Sequence, residues 1–147
     1  MGDEAYRSHD GALVLLLIVT GLTAAVWLTI GGIRRLSRTA TRRTSPLGAS
    51  ALLAWGAAIC VYTWGLILLM LTDDYGQSMA CNDSVGHSLI GYEPTFVPLG
   101  FGCATDDGRV VEAIIPPAIN RLAALFAFCA LVLTGLRAIR QKKGTHT

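Results

Sequence analysis

Two stretches of this chain run without a charged residue for longer than a bilayer core is thick: Gly11 to Ile33 and Leu47 to Thr72. A helix needs roughly 20 apolar residues to cross about 30 Å of hydrocarbon. A buried helix of a water-soluble domain rarely stays free of charge for so long. A third run, Ala113 to Leu136, is interrupted by Asn120 and Arg121 and has Pro116-Pro117 near its start. Proline is tolerated in the first helical turn, where its missing N–H has no helical partner in any case. The third helix is therefore expected to begin at Pro117. Charged residues make up only 15% of the chain, against about 25% in soluble domains. The expected architecture is an all-α membrane protein, one domain over 1–147, with spans at about 11–33, 47–72 and 117–136.

The first run does not read as a cleaved signal peptide. Its leading flank carries Asp3, Glu4 and Asp10 against Arg7, whereas signal peptides have a positive leading flank and a shorter apolar core. The positive charge follows the run instead, at Arg34 and Arg35. Gly2 has Tyr6 where an N-myristoylation motif needs Ser or Thr, and no prenylation Cys stands at the other end.

Charge placement sets an orientation. The segment 34–46 carries Arg34, Arg35, Arg38, Arg42 and Arg43 and no acid; the tail 137–147 carries Arg137, Arg140, Lys142 and Lys143 and no acid. Short segments rich in Arg and Lys stay cytoplasmic. Three spans with the N-terminal end outside put both inside, as a cytoplasmic loop and a cytoplasmic tail. Segment 73–116 then becomes an extracytoplasmic loop. On this reading the outer side sums to −7 and the inner side to +9, so the bland net charge of +2 conceals a polarised chain. The basic residues are first a topology signal; anionic lipid is a second role open to them. Nothing in the balance points to nucleic acid.

Four cysteines divide into two pairs. Cys81 and Cys103 lie in the outer loop, where disulfides persist, and are expected to bond to each other. The link would add on the order of 3 kcal/mol by restricting the unfolded chain. Cys60 and Cys129 fall inside spans and are expected to act as small apolar fillers. No C-x-x-C stands in the chain, which argues against a thioredoxin-like site. His87 with two thiols falls short of the four ligands of a zinc site. The acids of the loop are scattered, without the D-x-D-x-D-G pattern of a calcium loop. Thus no catalytic, metal or cofactor-binding residue is expected.

Asp106-Asp107-Gly108 is a turn signal. Taking Asp107-Gly108 as a two-residue turn pairs Thr105 with Val110 and sets Cys103 opposite Glu112, giving a short β-hairpin that leads into the third helix. Tyr92, Phe96, Val97, Leu99 and Phe101 are apolar, and some of them are expected on the membrane surface or on a partner. Asn82-Asp83-Ser84 fits the glycosylation sequon. However, ten Arg to two Lys in an Ala-, Leu- and Gly-rich chain is the bias of a high-GC bacterium, where the sequon carries no meaning.

Within the spans Arg121 is the single charge, about one turn into the third helix, and Asn120 is its neighbour. Both are candidates for an interfacial or functional role; snorkelling to headgroups accounts for Arg121 most simply. Small residues recur at helical spacing, as at Ser50, Ala54 and Ala58 and at Gly21 and Ala25, where they let helices approach closely.

The order Cys81, Pro98-Leu99, Cys103, Asp107-Gly108 and a hydrophobic segment into the last span resembles small integral membrane proteins of actinobacteria, whose function is unknown. That resemblance implies the span arrangement and no catalytic residue. The function expected from the residues is a non-catalytic accessory or interaction protein of the cell membrane. Its expected partners are the bilayer and another membrane subunit or a second copy. A holin-like permeation protein and a membrane thiol oxidoreductase using Cys81 and Cys103 are the alternatives.

Overall fold

The structure is a computed structural model that describes residues 10–42, 46–72, 74–86 and 89–144. Three long helices carry most of the chain: α1 (Gly11–Arg42), α2 (Leu47–Leu71) and α4 (Pro117–Gly144). Each holds a stretch long and apolar enough to cross a membrane. Between α2 and α4 come a short helix, α3 (Asp74–Val85), and three strands, β1 (Leu89–Phe96), β2 (Leu99–Thr105) and β3 (Val110–Glu112).

Local chemistry sets several boundaries. Asp10 Oδ1 accepts the amides of Ala12 at 2.9 Å and Leu13 at 3.4 Å, an N-cap whose negative charge also suits the positive end of the helix. Pro117 opens α4 as expected, in a first turn that has no use for its missing N–H. After α3 the chain turns at Gly86, whose φ of +62° is open to glycine without strain. α1 does not stop at Ile33. It continues to Arg42, so Arg34, Arg35, Arg38 and Arg42 stand on a helix where a loop was expected. Arginine is a good helix former, and cations near a helix C-terminus are favoured by the dipole.

The chain divides into two compact units. The first comprises residues 1–19 and 62–120. Its sheet is antiparallel in the order β1-β2-β3. β1 and β2 form a hairpin in which Phe96 pairs with Leu99 across a cis Val97–Pro98 link. β2 alternates large and small residues. Leu99, Phe101 and Cys103 are fully buried on one face. Gly100 and Gly102 stand on the other, where β3 leans over them. A Cβ on Gly100 would meet the Glu112 carboxylate at 2.7 Å, and one on Gly102 would run into Val110 Cγ1. The core gathers Val14 and Ile18 of α1, Leu66 and Leu69 of α2, Cys81 of α3, the inner face of β2, and Ile115.

This architecture extends the expectations and corrects one. Besides the expected hairpin into α4, the outer segment holds a helix and a further strand. Leu99 and Phe101 lie in the core and Tyr92 and Phe96 pack against it, whereas Val97 is 89% exposed. Finally, the β2–β3 register is shifted by one residue: Cys103 pairs with Val111, and Gly102 with Glu112. The loop is three residues, Asp106 to Gly108, closed by Thr105 N–H donating to Arg109 O at 2.9 Å. Such a loop needs one left-handed residue at its end, which Gly108 supplies at φ +72°. A two-residue Asp-Gly turn would force the aspartate into that region as well.

The second unit comprises residues 20–61 and 121–147. Its described residues belong to α1, α2 and α4, joined by close contacts at small residues. A Cβ on Gly56 would lie 3.1 Å from Thr29 Oγ1 and 3.7 Å from Ala25 O; one on Gly32 would lie 2.7 Å from Leu53 Cδ2. Ala49 and Ala130 are fully buried. Trp55 Nε1 donates to Thr134 Oγ1 at 3.4 Å, and that hydroxyl donates to Ala130 O at 2.7 Å.

Candidate functional site

The expected disulfide is present. Cys81 on α3 and Cys103 on β2 are bonded, with their Cα atoms 5.6 Å apart. Both residues are 0% exposed, so the bond is a core staple between helix and sheet. Cys60 and Cys129 are free thiols exposed on helices of predicted spans.

Asn120 has a structural task. Its Oδ1 accepts the Leu99 amide at 3.1 Å, and its Nδ2 donates to the Leu99 carbonyl at 2.7 Å. The side chain thus pairs with one β2 residue as a neighbouring strand would, satisfying two backbone groups that burial would otherwise leave costly. Two further contacts hold the hairpin, one on β2 and one on the end of β1. Gly65 on α2 leaves room for Leu99, whose Cδ2 would lie 2.7 Å from an added Cβ. Tyr62 Oη donates to the Phe96 carbonyl at 2.6 Å. At the far edge Glu112 Oε1 accepts the Phe101 amide at 2.7 Å. Arg121, one residue beyond Asn120, is exposed and is not drawn into this arrangement.

Among the described residues no group of three His, Cys, Asp or Glu side chains is placed to hold a metal ion. A shallow depression of about 350 Å³ lies beside Tyr75, Met79 and Tyr92. It brings together no acid–base or nucleophile pair.

The basic residues give a more definite site. Arg35 and Arg38 on α1 and Arg137 and Arg140 on α4 line one cavity of about 460 Å³, together with Thr39 and Gln141. The cavity reaches the first turn of α2, where the Arg137 guanidinium packs onto Gly48: a Cβ there would lie 3.1 Å from its Nη1 and 3.3 Å from its Cζ. A side chain at 48 would make that guanidinium give by a few tenths of an ångström. Arg34 and Lys142 are exposed and lie outside the cavity lining. Arg43, the side chains of Arg42 and Lys143, His87, and the acids Asp3 and Glu4 lie outside the described residues.

As a topology signal, the basic segments need only be rich in Arg and Lys, with no fixed spacing. What convergence required was visible in their spacing. Arg35-x-x-Arg38 and Arg137-x-x-Arg140 each put two guanidinium groups on one face of a helix. That the two faces meet is a tertiary fact. Comparison of the chain with known protein families, curated proteins and solved structures gives no match, so what this site does is argued from its own residues.

Proposed function

We propose that the chain is a small multi-pass protein of the cell membrane that works by association rather than catalysis. α1, α2 and α4 are its spans, with the start of α1 outside and the end of α4 in the cytoplasm. The observation that carries this reading is the apolar exterior of the long helices. Leu16, Val19 and Val26 on α1 and Leu125, Phe128 and Leu131 on α4 are all exposed, a surface suited to lipid and to neighbouring helices rather than to water. The basic ends of α1 and α4 support the orientation through the retention of Arg and Lys in the cytoplasm. The sheet and α3 then face the compartment where a disulfide persists. Burial of Cys81 and Cys103 speaks against thiol exchange, which needs a thiolate that a partner can reach.

Two measurements test the proposal together. After reduction and mild unfolding of intact cells' surface proteins, a membrane-impermeant thiol reagent should label Cys81 and Cys103 from outside. Purification of tagged protein from native membranes in mild detergent should retain a stoichiometric partner or a second copy. Labelling only from the cytoplasmic side overturns the orientation. A lone monomer, recovered repeatedly, overturns the association.

A further inference from the structure

We infer that the arginine-lined cavity is a binding site for a phosphate-bearing anion, of the kind carried by an anionic lipid headgroup. Arg35, Arg38, Arg137 and Arg140 bring four positive charges to one cavity of about 460 Å³. An arginine cannot shed its proton in a protein, so mutual repulsion is not relieved by titration. Nor is it relieved by a carboxylate side chain, because residues 20–61 and 121–147, the whole of this unit, contain no Asp or Glu. No acidic side chain of this unit supplies a counter-charge, which leaves the cavity suited to an added anion.

The donor set favours phosphate over a simple halide. Guanidinium groups present forked N–H pairs that match phosphate oxygens two at a time. Thr39 and Gln141 also line the cavity, the Thr39 hydroxyl donating to the Leu36 carbonyl at 2.7 Å. The Arg137 guanidinium lies close against Gly48, and that contact restricts part of its freedom before a ligand arrives. The first turn of α2 borders the same cavity and carries the partial positive charge of a helix start. A diffuse basic surface that merely marks topology needs none of this convergence. The inference goes beyond the proposed function by naming a ligand class and its residues. It leans on the membrane reading only for the lipid as source.

The test uses the full chain, delipidated in neutral detergent, with two probes. Native mass spectrometry after transfer to phosphatidylcholine nanodiscs, with or without phosphatidylglycerol, reads retention of the anionic lipid. Thermal stabilisation by inorganic phosphate, in detergent alone, reads the free anion without requiring insertion. R137Q/R140Q should weaken phosphatidylglycerol retention by on the order of tenfold or more, the loss expected for charge-assisted bonds to phosphate. R34Q/K142Q removes the same charge away from the cavity and should retain the lipid almost as the parent does. R137K/R140K keeps the charge without the fork and should fall between them. Stabilisation by inorganic phosphate that the pocket variant abolishes identifies free phosphate as a second source; lipid retention without it assigns the site to the headgroup. Equal loss in R137Q/R140Q and R34Q/K142Q overturns the inference, as does a parent protein that takes up neither probe.

Discussion

In the unit that contains the sheet, the most deeply buried side chains are Phe101, Leu99 and Leu66, arranged around a disulfide. In the helical unit the corresponding positions are Ala130 and Ala49, with Gly32 and Gly56 at the closest approaches. The charges divide the same way. All ten acids belong to the first unit with two arginines; the other ten basic residues belong to the second. On the proposed membrane reading, the difference follows from the solvent each unit would meet. Where water is the alternative, burial of large apolar groups drives packing. Where lipid is the alternative, apolar burial gains little, and helices associate through close contact at small residues. One chain of 147 residues uses both means.

Three substitutions probe that contrast, in order of expected effect. Phe101→Ala removes the largest fully buried side chain and should cost about 3–5 kcal/mol, read by equilibrium unfolding in mild detergent. A loss below about 1 kcal/mol would mean that the sheet unit is not organised around a side-chain core. Replacement of both Cys81 and Cys103 by alanine should cost about 3 kcal/mol through the freed 22-residue separation. The same change at Cys60 and Cys129, which are exposed, should leave stability within about 0.5 kcal/mol of the parent. If the two double variants behaved alike, the staple would contribute nothing. Gly56→Val brings new atoms against Thr29 and Leu28 and should cost about 1–3 kcal/mol by overpacking. In this case unfolding should be compared with that of a valine at Gly135, which has open space around it. Equal tolerance at both positions would remove close helix approach as the basis of the second unit.

Much of this was legible in the residues. Two of the long helices follow from charge-free length, the third from an apolar run broken only by Asn120 and Arg121, and the Pro117 start of α4 from the geometry of proline. The Cys81–Cys103 bond follows from the division of cysteines between loop and spans. α3 was not legible, because Asp74–Val85 has no apolar repeat of helical period to announce it. The β1–β2 hairpin was hidden for two reasons. Its Val97-Pro98 link lacks the Asn-Gly or Asp-Gly signature of tight turns. Gly100 and Gly102 resemble turn residues, yet they are strand positions kept small by Val110 and Glu112 above them. Asn120 stands out by its polarity inside an apolar run. Its partner, the backbone of Leu99, is 21 residues away and leaves no mark in the sequence.

The sequence alone thus determined the number of apolar helices, the helix ends at which charge collects, and the disulfide. These depend on composition and on order along the chain, which folding does not alter. Only the tertiary structure decided the register of the sheet, the pairing of Asn120 with Leu99, and the meeting of four arginines around one cavity. Each joins residues distant in the chain, so their relation exists only once the backbone has fixed where separate elements meet.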